Sequence, residues 1–181
     1  MKTLAHAITL TLFALTATVA TTACDSDSDG DPMVEDIELN ADDFTCILDW
    51  PQVERVRVTN MLGYQPEAEA ALRSDSGGEY PVGTVIQLVP TEAMVKRAPG
   101  FSPATNDWEF FVLEVSADGT TILERGTTEV VNEALGEASC MDCHQEAEPQ
   151  FDLVCSDSHG CEPLPVSADQ LEQLQQSDPR C

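Results

Sequence analysis

The sequence predicts a strand-rich α+β domain, and three observations predict it. Residues 108–115 (WEFFVLEV) are aromatic and β-branched, and they stop at Asp118-Gly119, a hairpin pair. Residues 82–89 and 93–97 read as two more short strands, joined by a turn at 90–92. Helix formers fill 66–73, and further helical stretches lie near the C-terminal end. With 181 residues the chain has room for one domain with a real core.

The first residues read as an export signal. Lys2 gives the positive start, and residues 4–20 are apolar and threonine-rich with no charge. Residues 21–24 (TTAC) then resemble a lipobox, in which Cys24 would be lipidated and become the new N-terminus. Thr21 departs from the usual leucine, and plain cleavage nearby is the alternative. The stretch is too short, and too rich in small residues at its end, for a retained transmembrane anchor. Asp25 directly after Cys24 hints at inner-membrane retention, a sorting rule of some bacteria.

Residues 24–43 read as an acidic tether. Positions 25–43 hold nine acids and no Lys or Arg. Asp25, Asp27, Asp29 and Gly30 imitate the start of a calcium loop, but position twelve is Asp36 rather than Glu, so the tether reading is preferred. The folded part is expected to begin near Phe44 and run over 44–181. Val53, Val56 and Val58 mix with Arg55 and Arg57 in an ambiguous apolar stretch, for which a strand is one reading. Residues 66–73 (PEAEAALR) open with proline and should form a helix, stopped by the turn-like run SDSGG at 74–78. Residues 120–125 should pair back on the 108–115 strand. Residues 130–144 lean helical. After the proline-rich stretch at 161–165, residues 167–176 should form a short helix with Ser167 as N-cap. No internal repeat is visible.

Removing residues 1–23 takes away Lys2 and no acid, so the mature formal charge is 7 − 33 = −26. Such a chain repels nucleic acid and anionic lipid surfaces. It suits a cationic redox partner or a neutral small ligand, although solubility alone accounts for the charge.

The chemistry concentrates at 140–144 (CMDCH), the C-x-x-C-H attachment motif of a c-type haem. Two thiols two residues apart reach the two vinyl groups on one porphyrin edge, and the histidine that follows offers the iron an axial nitrogen. Cys140, Cys143 and His144 are therefore the cofactor-binding candidates, with His144 the iron ligand. A thioredoxin-like pair usually opens a helix after a strand in a βαβ pattern, and none precedes this one. A zinc site would need a second matched pair. Cys155 and Cys161, with His159 between them, fit poorly. Seven cysteines less Cys24, Cys140 and Cys143 leave Cys46, Cys155, Cys161 and Cys181. In an exported chain these four suggest two disulfides, with three pairings open.

In this order the elements resemble the cytochrome P-460 and cytochrome c′-beta family. The likeness runs over about residues 66–155. It is carried by a helix followed by YPVGTV at 80–85, EAMVK at 92–96, DWEF at 107–110, and CMDCH at 140–144 followed by FDLV at 151–154. Class I cytochromes c carry their motif near the N-terminus and are helical, unlike this chain. The resemblance implies an α+β fold, mainly an antiparallel β-sheet with a few helices, often as a homodimer. It also implies one haem c on His144 and a distal side open to a gaseous or nitrogen-oxide ligand. Family members either oxidise hydroxylamine or bind gases such as nitric oxide. The oxidising members carry a lysine bonded to the porphyrin edge on the strand after the Gly-Thr turn. Counted on from Gly83, that position is Leu88 here, so oxidative chemistry loses its cross-link. Lys96, the single lysine of the mature chain, matches another family position. Glu92 matches a distal carboxylate that relays protons in the catalytic members, and would be the catalytic residue. Read from the residues alone, it is a solvated turn glutamate.

The alternatives are a periplasmic electron carrier with two axial ligands and a haem-free structural lipoprotein of the same fold. For a sixth ligand the candidates are His159, read first as a surface-loop histidine, and the sulfurs of Met61, Met94 and Met141, of which Met61 reads best. Phe110 and Phe111 fall on opposite faces of their strand, so one of them can pack on the haem, and Trp108 shares the face of Phe110.

Overall fold

A computed structural model describes residues 35–133 and 138–181. The signal segment, Cys24 and the calcium-like run at 25–30 lie outside the described residues. The fold is α+β, with an open six-stranded antiparallel sheet and three helices. Its strands are β1 (Gln52–Val53), β2 (Val56–Asn60), β3 (Thr84–Gln87), β4 (Glu92–Lys96), β5 (Trp108–Ser116) and β6 (Gly119–Gly126). Each pairs with the next in sequence, so the sheet is a meander.

Strand periodicity divides the core in two. Val58, Ile86, Met94, Phe110 and Val112 face one cluster, together with Trp108, Leu72 of α1 (Gln65–Leu72), Tyr80, Val130 and Val154. Val85, Ala93, Val95, Phe111 and Leu113 face the other, with Leu39, Phe44 and Trp50. The register Ile86–Met94–Phe110 fixes the first face, and Val85–Val95–Glu109 the second. Phe110 and Phe111 do lie on opposite faces, and Trp108 shares the face of Phe110. On the second face the buried Glu109 is held by the guanidinium groups of Arg97 and Arg125, which meets the need of a buried charge for paired donors.

The C-terminal helix α3 (Ala168–Gln176) forms as the sequence predicts. Ser167 accepts the Gln170 amide at 3.2 Å as its N-cap. Its Gln175 donates to the carbonyls of Arg55 and Leu88, at 2.7 and 2.9 Å. Beyond it, Cys181 bonds to Cys46, and Asp178 accepts the Ile47 amide at 3.0 Å. The second disulfide joins Cys155 to Cys161. Of the three pairings open in the sequence, this one ties Cys46 to the C-terminal Cys181 and staples one short loop.

Two expectations need correction. Packing starts before Phe44: Leu39 is buried, and Asp36 pairs with Arg97 at 2.8 Å. Burial alone would raise the Asp36 carboxyl, but the Arg97 and Ala98 hydrogen bonds hold it below the ordinary value. The acidic tether therefore ends in packed residues. The helix expected over 130–144 is confined, among the described residues, to α2 (Cys140–His144). Val130 is fully buried, and Val131 bridges to Ser139. A β-branched pair with a core position takes extended backbone in preference to helix.

Candidate functional site

Helix α2 carries the whole C-x-x-C-H motif because Ser139 starts it there. The Ser139 hydroxyl accepts the Asp142 amide at 3.1 Å, and Asp142 returns the bond to the Ser139 amide at 2.9 Å. This reciprocal cap stabilises a helix too short to persist alone. The Cys140 amide bonds to the Val130 carbonyl at 2.8 Å, which docks the turn against the first core cluster. Positions 140, 143 and 144 then share one helical face. Cys140 and Met141 pack on that cluster, as do Leu88 and Leu153.

The two thiols are unpaired, while four other cysteines are oxidised to disulfides. Burial pushes the Cys140 thiol up to about 12, with the Glu92 carboxylate adding to the effect. Cys143 is also raised, by burial and then by Glu146, Asp142 and Glu92. Reactive redox dithiols have depressed values, so this setting is wrong for a thioredoxin-like pair. Among the described residues no three His, Cys, Asp or Glu side chains come together to hold a metal ion. A porphyrin supplies four nitrogens of its own and would need from the protein only an axial ligand.

His144 has the geometry of such a ligand. Its Nδ1 lies 2.7 Å from the Leu153 carbonyl oxygen. A carbonyl cannot donate, so Nδ1 must carry the proton, and neutral imidazole then keeps its lone pair on Nε2. Burial lowers the histidine's pKa, against the Leu153 hydrogen bond, and favours this neutral form. The Phe110 ring packs at 5.1 Å from the imidazole.

Glu92 is not a solvated turn residue. It opens β4 opposite Val112, is half-buried, and accepts a hydrogen bond from Asn132 Nδ2 at 3.0 Å. Burial raises its pKa, and the Asn132 bond opposes the rise without cancelling it. Strand alternation puts it on the face of Met94, the face on which Cys140 packs. Asn132 carried no signal of its own in the sequence. The Ser139–Asp142 cap did carry one, as the spacing S-x-x-D before a helix.

The other candidates separate. Met61 packs with the second cluster, on the opposite face from Cys140, so it is no longer the best sulfur. Met94 shares the cluster of Cys140. His159 does lie in a disulfide-closed loop, but it is only 2% exposed. It stacks on Phe151 at 3.8 Å and donates Nδ1–H to the Val154 carbonyl at 2.6 Å. The aromatic stack overrides the surface placement expected of a loop histidine. Lys96 is buried. It donates to Asp152 Oδ2 at 2.6 Å and to the Asn106 carbonyl at 2.7 Å. A cavity of about 620 Å³, bounded by Gly77, Glu79, Lys96, Asn106, Gln150 and Asp152, holds none of Cys140, Cys143 and His144. It is open, and its one cation is already engaged.

No family model, curated protein or solved structure matches this chain.

Proposed function

We propose that this chain is an exported c-type haem protein of the cytochrome P-460 and cytochrome c′-beta kind, which binds or transforms a small nitrogen-oxide-type ligand at the iron. One observation carries the reading: two reduced thiols and a histidine with a free Nε2 share one helical turn, in a chain that oxidises its other described cysteines. Cys140 and Cys143 would hold one haem c, and His144 would ligate it. When bound, the haem supplies an iron centre able to coordinate a small diatomic or amine ligand.

The chain's own residues have separate tasks. Leu153 O fixes the imidazole, and Phe110 packs against it. Glu92, protonated more readily than an exposed glutamate and steadied by Asn132, is suited to give or take a proton beside a polar ligand. Leu88 stands where the oxidising relatives of the proposed family carry their cross-linking lysine. Lys96 is spent on Asp152. Both points favour ligand binding over oxidative turnover. Export and lipidation at Cys24 belong to the same proposal, and two disulfides accord with an oxidising compartment.

The test is the optical spectrum of the full chain from the periplasm, oxidised and reduced, after in-gel haem staining. Covalent haem that is high-spin when ferrous and binds carbon monoxide rapidly is expected. Cys140→Ser with Cys143→Ser should abolish the stain. A low-spin, six-coordinate spectrum in both oxidation states would establish the electron carrier instead. An unstained protein would establish the haem-free reading.

A further inference from the structure

The carbonyl that orients His144 sits on a backbone segment that groups outside the motif hold in place. Asp152 and Leu153 are both left-handed, with φ of 52° and 62°. Side chains other than glycine adopt this conformation seldom, and two in succession persist only where surrounding contacts over-determine them. Those contacts are present. Asp152 O accepts the Trp108 indole N–H at 2.7 Å. Asp152 Oδ2 accepts Lys96 Nζ at 2.6 Å, and Lys96 is itself pinned by Asn106 O at 2.7 Å. On the flanks, Phe151 stacks on His159, which donates to Val154 O. Upstream, Gly78 N donates to Gln150 O at 3.0 Å. Gly77, with φ of 79°, leaves room for that approach, because a Cβ there would run into the Gln150 carbonyl.

We propose that the buried Lys96–Asp152 pair, with the Trp108 indole, is a positioning device for His144. It locks the 152–153 backbone so that Leu153 O holds the imidazole as its Nδ1–H tautomer, with Nε2 kept as the ligating lone pair. The consequence for an iron ligand rests on the haem reading, whereas the clamp itself does not. Lys96 and Asp152 are positioning residues, because neither is in the C-x-x-C-H turn. A hydrogen bond from Nδ1–H to a carbonyl also makes the imidazole a stronger donor.

The test has two arms. The first uses the full chain with Cys140→Ser and Cys143→Ser, so that no haem is present, and reads His144 by long-range proton–nitrogen NMR at pH 7.5. The parent should show the Nδ1–H tautomer alone with a slowly exchanging proton. Lys96→Met with Asp152→Asn, which leaves no charge unpaired, should populate the Nε2–H tautomer and speed Nδ1–H exchange at least tenfold. Lys96→Arg should restore the parental signals. Trp108→Phe, read in the same way, decides the matter if the double variant does not fold. Parental tautomer and exchange in a folded variant would overturn the proposal. In the second arm, on haem-loaded protein, the double variant should raise the midpoint potential and lower the iron–histidine stretching frequency. A chain without haem would defeat the proposed function, and the first arm would still decide the clamp.

Discussion

Lys96→Met is a demanding perturbation of this fold, and its size follows from the burial of one ion pair. The Lys96 and Asp152 side chains are 6% and 10% exposed, and their charged atoms lie 2.6 Å apart. Removing the ammonium leaves the Asp152 carboxylate with one long contact, the Tyr80 amide at 3.5 Å. Breaking a buried pair from one side costs about 3–5 kcal/mol, because the remaining charge is neither hydrated nor compensated. Loss of the donor to Asn106 O adds about 1 kcal/mol. The sum is a large share of the roughly 5–15 kcal/mol that stabilises a domain. With a urea slope of about 2 kcal/mol per molar, the midpoint should fall by about 2–3 M. Asp152→Asn alone should cost somewhat less, since Lys96 keeps Asn106 O. The double variant should lose far less than the sum of the two, giving a coupling energy of about 2–3 kcal/mol in a double-mutant cycle. Urea unfolding followed by tryptophan fluorescence on the haem-free chain measures all four corners. A single-variant loss below about 1 kcal/mol with no coupling would mean that the pair behaves as a hydrated surface contact, and the clamp argument would lose its physical basis.

The Cys46–Cys181 bond closes a loop with a sequence separation of 135 residues, which in the chain-entropy view restricts the unfolded state by about 5 kcal/mol. Cys46→Ser with Cys181→Ser should therefore lower stability by about 2–5 kcal/mol in urea, and should expose the 168–176 helix to proteolysis before the sheet unfolds. A pH series should single out Glu92. Its folded pKa is raised above the ordinary 4.5, so the unfolded chain loses this proton first as pH rises. Wild type then gives up stability from about 4.5 upward until the folded carboxyl has ionised, and stays level beyond. Glu92→Gln keeps an acceptor for Asn132 and has no such loss, so thermal melts of the haem-free proteins should match at pH 4 and separate in favour of the variant by pH 8. Parallel curves would show that Glu92 is as well hydrated in the fold as outside it.

The sheet was legible because its strands are encoded locally. Trp108, Phe110 and Val112 alternate with Glu109, Phe111 and Leu113, and a turn at Ala117-Asp118, one residue before the expected Asp118-Gly119 pair, closes the hairpin that β5 and β6 form. Ser167 announced α3 for the same reason. What the sequence did not show depends on contacts between distant residues. The extended course at 130–131 follows from Val130 entering the core, a tertiary demand that outweighs the helix formers after it. Burial of His159 needs Phe151 beside it, and burial of Lys96 needs Asp152, 56 residues away. For the site, Cys140, Cys143 and His144 were legible as a motif. The acceptor that orients His144, a backbone carbonyl at Leu153, has no residue type to betray it. Glu92 looked solvated because the turn before it is polar, and only Asn132, 40 residues on, marks it as held.

Charge distribution finally favours a covalent cofactor over a free dithiol at 140–144. A chain with a formal charge of −25 surrounds its thiols with carboxylates, and Glu92, Asp142 and Glu146 all oppose thiolate formation there. For a redox pair this is a defect, since exchange proceeds through the thiolate. For thioether bonds made once, during maturation, it carries no lasting penalty, and afterwards the sulfurs do not titrate. The same carboxylates would stabilise positive charge on a ferric centre and draw its potential downward. The carbonyl acceptor on His144 Nδ1 pulls in the same direction, by strengthening the imidazole as a donor. The sheet holds Glu92 and the 151–154 turn holds the carbonyl, whereas Asp142 and Glu146 lie on and just after α2. If the proposed haem is bound there, these groups would set a low potential before any ligand arrives.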